Sequence, residues 1–206
     1  MQQRIEIMLE MQDSMNARVH PEWRSQNFEW YRAIWVECAE LLDHYGWKWW
    51  KKQQADIEQV KLELIDIWHF GMSQLLLSGQ APETLARDLA AALASTKSGQ
   101  GFASDLEAFT LHTLSSHDFD VEKFSLLLND VELGFEELYT RYIGKNVLNF
   151  FRQDHGYQDG TYSKIWGGRE DNEHLVELSD ELDSSALRFK DDLYEALSKR
   201  YQLSDA

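Results

Sequence analysis

Four acids in two pairs are the residues of this sequence best placed to do chemistry. Glu37 and Glu40 lie in WVECAELL, and Glu63 and Asp66 lie in KLELIDIW. A spacing of three puts each pair on one face of a helix, and two such helices packed antiparallel would gather four carboxylates into one pocket. The neighbours are apolar: Trp35, Val36, Cys38, Ala39, Leu41 and Leu42 around the first pair, Leu62, Leu64, Ile65, Ile67 and Trp68 around the second. Carboxylates taken out of water and crowded together repel and stay partly protonated unless cations hold them. A donor set made only of oxygen selects a hard ion, Mg2+ with Mn2+ as a substitute, which in turn coordinates phosphate oxygens. Asp66 with His69 and Asp171 with His174 also show the acid-to-histidine spacing of a di-iron bundle. The second of these pairs, however, follows a Gly-rich loop rather than sitting in a clear core helix.

Other polar residues fall where a nucleotide would need them. Gln12 and Asn16 share one face of the first helix; two buried amides there either tie helices together or read the edge of a heterocyclic base. Lys145, Asn149 and Arg152 stack along one helix face, and Tyr157 and Lys164 follow in a Gly-rich loop. In so acidic a chain this basic cluster suits a phosphate chain. Phe70, one turn beyond Asp66, is either a core ring or a ring that stacks on a base. Trp47-Lys48-Trp49-Trp50-Lys51-Lys52 suits either a pocket wall or a subunit contact.

The elements that position these residues are helices. Apolar periodicity predicts an amphipathic helix from the start to Pro21, a second over 26–45 closed by Gly46, and a third over 56–77. Between 79 and 120 the pattern weakens to one or two short helices, Glu83 to Ser95 and Ser104 to Ser115, separated by a Gly- and Ser-containing stretch. This is the expected inserted, mobile lobe of a single catalytic domain over 1–206. Asp120 reads as the N-cap of one long helix reaching Asp154. A polar, Gly-rich loop over 156–172 and a helix at about Ser184 to Tyr201 follow. The fold class is all-α, a helical bundle with a smaller helical lobe.

Bulk composition excludes several functions. With 43% hydrophobic residues and eight Trp the chain is too apolar for disorder. A formal charge of -16 argues against nucleic-acid partners, which need a basic surface. No apolar run is long enough to span a membrane, and charges interrupt the start where an export signal needs an unbroken apolar segment, so the expected location is the cytoplasm. The single cysteine, Cys38, reads as a buried, inert thiol.

Three stretches carry a family resemblance: MQDSMNARVHPEWRSQNFEWYRAIWVECAELLDHYGWKWWK, VKLELIDIWHF and KNVLNFFRQDHGYQDGTYSKIWGGREDNEHL. In this order they resemble the dimeric all-α dUTP diphosphatases, within the wider superfamily of MazG-like pyrophosphatases. The resemblance implies magnesium-dependent hydrolysis of dUTP, and of dUDP, to dUMP in a homodimer. It implies Glu37, Glu40, Glu63 and Asp66 as metal ligands, with Glu37 orienting or deprotonating the attacking water. Gln12 and Asn16 match the uracil-recognition motif, and Lys145, Asn149, Arg152, Tyr157 and Lys164 match the phosphate and sugar motif. Trp49 and Phe70 would help to enclose the nucleotide. The alternative is a related all-α pyrophosphatase acting on dCTP or a broader set of deoxynucleotides.

Overall fold

A computed structural model describes residues 1–94, 98–184, 186 and 188–204. Among them the chain forms α1 (Gln2–Val19), a short 3-10 turn (Trp23–Ser25), α2 (Trp30–Tyr45), α3 (Ile57–Leu76), α4 (Pro82–Leu93), α5 (Phe102–Ser116), α6 (Val121–Asp130), α7 (Phe135–Asp154), strands β1 (Ile165–Trp166) and β2 (Arg169–Glu170), α8 (Asp171–Glu181) and α9 (Phe189–Ser204). The all-α expectation holds, with one two-stranded antiparallel ribbon added. No described helix is long and apolar enough to cross a membrane.

The first three helices follow their sequence signals. The Asp56 side chain caps α3 by accepting from the Gln59 N–H at 3.2 Å, and Gly46 closes α2 through a bond from its N–H to the Leu42 carbonyl. Helices α2 and α3 form an antiparallel hairpin. At its loop end the Asp56 N–H donates to the His44 carbonyl at 2.9 Å, and further along Glu37 meets Glu63 and Asp66. Inward-facing Ile34, Cys38 and Leu41 of α2 and Val60, Leu64, Ile67, Trp68 and Met72 of α3 lie in one continuous buried cluster. Cys38 is 3% exposed, and burial pushes its thiol up to about 12, so the inert-thiol expectation stands.

The single long helix expected from Asp120 is two helices. Asp120 does cap one, accepting from the Lys123 N–H at 3.0 Å, but α6 stops at Asp130 and α7 restarts after Gly134. The break places Glu132 in the left-handed region (φ 55), a conformation that costs a residue with a β-carbon and that nothing in Glu advertises. Helix α8 is the other departure: it starts at the end of the expected 156–172 loop and runs on to Glu181, ahead of the one C-terminal helix expected from about Ser184. Its capping box uses Glu170 at the N-cap with Glu173 three residues on, and Gly167-Gly168, both at positive φ, make the two-residue turn that joins β1 to β2.

The 79–120 segment puts Leu85, Ala86, Leu89, Phe102, Leu106 and Phe109 into the same buried cluster as the first three helices. Residues 95–97, at the end of the expected helix and in its Gly and Ser stretch, lie outside the described residues. Close packing at this junction gives a sharp expectation. A Cβ at Gly71 of α3 would lie 2.5 Å from the Phe119 ring, and that ring is held against Trp68, Phe109 and Phe124. Gly71→Ala should cost ~1–3 kcal/mol in urea unfolding; an unchanged midpoint would mean that the ring moves aside freely.

Candidate active site

Three of the four acids come together. Ligand oxygens of Glu37, Glu63 and Asp66 lie within 4.8 Å of one another. Glu40, one turn beyond Glu37, is exposed and reaches the group through its charge, which raises the pKa of both Glu37 and Glu63. Burial, the nearby Asp66 charge and a hydrogen bond with Glu63 push the Glu37 carboxyl from 4.5 up to about 8. Burial also raises Glu63, against the lowering effect of that bond and of Lys145. Crowded like charges thus make the pair hold a proton more readily than free carboxylates do. His44 of α2 stands 3.5 Å from Glu63, and Lys145 of α7 bridges to Asp66 at 3.1 Å. An all-oxygen set so placed fits a hard divalent cation.

Asp66 also lines a cavity of about 310 Å³, a size suited to a small ligand. One end of it is a buried polar network. Gln12 donates to Asn16 Oδ1 at 3.0 Å and to Ser73 Oγ at 3.1 Å, while Asn16 donates to the same Ser73 oxygen at 3.0 Å. The Tyr142 hydroxyl is shared between Gln12 Oε1 and the Met8 carbonyl, each at 3.0 Å. Both N–H groups and the oxygen of Gln12 are thus engaged inside the protein, whereas among the described residues Asn16 keeps one N–H over. His69 Nδ1 meets the Ile65 carbonyl at 2.8 Å and must donate there. Burial lowers the His69 pKa to about 4, so Nε2 is a bare acceptor, buried and without a partner among the described residues. Phe70 does face the cavity, near-parallel to Trp30 with ring centroids 6.3 Å apart; Trp23 and Phe28 extend the aromatic wall.

The expected phosphate residues divide. Asn149, Arg152 and Tyr157 line the same cavity. Lys145 instead sits on the carboxylate side, and Lys164 reaches the group only as a cation 5.5 Å from the Tyr157 ring centroid. Trp49 is not brought to the cavity; it is 89% exposed. The di-iron alternative does not assemble, because Asp171 pairs with Arg152 and His174 Nε2 meets the Trp166 carbonyl. Residues that spacing did not single out are Ser73, Trp30 and Tyr142, together with Asp171 as a partner of Arg152; the Tyr142 to Asn146 spacing of four was the one signal available.

Along α3 the order is Glu63, Asp66, His69 and Phe70, then Ser73: acids at one end, amide-bonding groups at the other, one ridge between. No curated protein sequence matches the chain. A family model described as dUTPase matches residues 4–157, well over half of its length. The chain belongs to the all-α dUTPase family, hydrolases that cut a phosphoanhydride bond of dUTP.

Proposed function

We propose that this chain hydrolyses dUTP, and dUDP, to dUMP with magnesium held by Glu37, Glu63 and Asp66, and that it works as a homodimer. The observation that carries this is the double membership of Asp66, which belongs both to the carboxylate group and to the wall of the aromatic cavity. A bound divalent cation there supplies charge neutralisation for phosphate oxygens and acidifies water. The base lies in the cavity against Phe70 and Trp30, so that the chain's own groups fix which bond reaches the acids. Glu37, the member that most readily holds a proton, takes the proton of the attacking water. Lys145 and Arg152 donate to the phosphate chain and hold it in line with the acids. Glu40 adds negative charge to the cation site from one turn away, and the exposed Trp47, Trp49 and Trp50 offer one apolar surface for the subunit contact.

The cavity wall favours uracil over cytosine. The spare Asn16 N–H donates to the carbonyl oxygen that uracil carries at its 4-position. Cytosine carries a donor amino group there instead and would leave that N–H unpaired. Gln12 holds Asn16 in place for this task. Pyrophosphate or phosphate release from dUTP, dUDP, dCTP, dTTP and UTP, with and without magnesium, checks the whole reading. Turnover of dUTP at least about a hundredfold above dCTP, and only with the metal, is expected; equal turnover of dCTP would overturn the base assignment, and metal-free turnover the role of the acids.

A further inference from the structure

The first residue of α8 immobilises a cation of the cavity wall. Asp171 is 1% exposed, and its carboxylate takes two bonds from the Arg152 guanidinium, Nε to Oδ2 and Nη2 to Oδ1, both 2.8 Å. The Tyr162 hydroxyl donates to the same Oδ2 at 2.8 Å. On the far side Asn149 Oδ1 accepts from Nη1 at 3.3 Å, and the guanidinium carbon stands 5.9 Å from the Tyr157 ring centroid. A guanidinium has five N–H donors in a rigid plane. Among the described residues Asp171 and Asn149 engage three of them, which leaves one on each Nη nitrogen, on the edge that the Asp171 fork leaves open.

Burial alone would raise the Asp171 carboxyl; the Arg152 bonds and charge, with Tyr162, hold it below its ordinary value instead. Asp171 is therefore ionised and already balances the guanidinium charge, so Arg152 offers aimed hydrogen bonds rather than surplus charge. A side chain fixed in this way surrenders little rotamer freedom when an anion arrives.

We propose that Asp171 is a positioning residue for dUTP hydrolysis: it clamps Arg152 so that the two spare N–H groups meet the phosphate chain, and Tyr162 holds the clamp. This rests on the reading that Arg152 binds phosphate. Both clamp residues lie beyond residue 157, where the family match ends, so the β1–β2 ribbon and α8 complete a site built mainly by α1, α2, α3 and α7.

The test is steady-state kinetics on dUTP with magnesium for Arg152→Ala, Asp171→Asn, Tyr162→Phe and the double variant Arg152→Ala with Asp171→Asn, each with its melting temperature. Asp171→Asn should raise KM about tenfold to a hundredfold with kcat little changed. Tyr162→Phe should move KM the same way by less. The double variant should be no worse than Arg152→Ala alone. A purely structural Asp171 would instead lower the melting temperature and the active fraction, hence kcat, and its effect would multiply with that of Arg152→Ala; either that pattern or a wild-type KM in Asp171→Asn overturns the clamp. An unchanged KM in Arg152→Ala alone is a different result and overturns the underlying phosphate assignment. If Asp171→Asn does not fold, Tyr162→Phe decides, because it keeps the ion pair and removes one hydrogen bond; an unchanged KM there counts against the proposal.

Discussion

Glu63→Gln is expected to slow dUTP hydrolysis at least about a thousandfold while leaving the metal-free protein as stable as the wild type, or more so. The two halves have one cause. Glu63 is drawn in among Glu37, Asp66 and the Glu40 charge at a spacing that favours a cation and penalises the protein without one. An amide of the same size still accepts the Glu37 proton but removes a like charge and a ligand oxygen, so function falls while repulsion is relieved. Activity assays with thermal melts in EDTA and in magnesium check this. The wild type should gain stability from magnesium and the variant should not; retained activity would remove Glu63 from the cation site.

Acidity gives the second large effect. The folded Glu37 value of about 8 lies above the ordinary 4.5, so between those pH values the folded protein binds more protons at this site than the unfolded chain does. The contribution of Glu37 to metal-free stability should therefore be greatest below pH ~4.5, fall as pH rises towards ~8 and stay low above it. Magnesium needs the carboxylate, so its apparent affinity should drop about tenfold for each pH unit below ~8, and binding at neutral pH should release close to one proton. Titration calorimetry in two buffers of different ionisation enthalpy measures that proton. Comparison with Glu37→Gln isolates it from the other acids; equal proton release in both proteins would show that Glu37 does not hold it.

The parts of the fold legible in the sequence were those with a repeating or local cause. Helices α1, α2 and α3 showed apolar residues at helical spacing, and Asp56 and Asp120 are ordinary capping residues whose side chains accept the expected bonds. The α6–α7 break was not legible, since Leu, Glu and Tyr continue a helical pattern on both sides and the strained residue is a glutamate. Helix α8 was hidden by an N-cap of Glu where Ser, Thr, Asp or Asn is the usual signal. In the site, the i, i+3 spacing correctly paired Glu63 with Asp66, because both lie on one rigid helix. Spacing placed Glu40 with them equally, yet a helix face is wider than a coordination site and Glu40 stays in solvent. The Arg152–Asp171 pair is 19 residues apart across a turn and a ribbon, a separation that no periodicity encodes. Trp49 shows the remaining limit: its exposure is a property of one chain, and composition does not say what covers it.

That Glu63 and Ser73 stand on one uninterrupted helix fixes the phase between the two ends of the site. At ~1.5 Å and ~100° per residue, one residue gained or lost between Asp66 and Phe70 would swing the aromatic end about a quarter-turn around the axis from the acidic end. The helix therefore behaves as a rigid gauge. Chain-length changes are tolerable in the loops on either side of it, while within those few residues the reading frame of the helix is also the reading frame of the substrate.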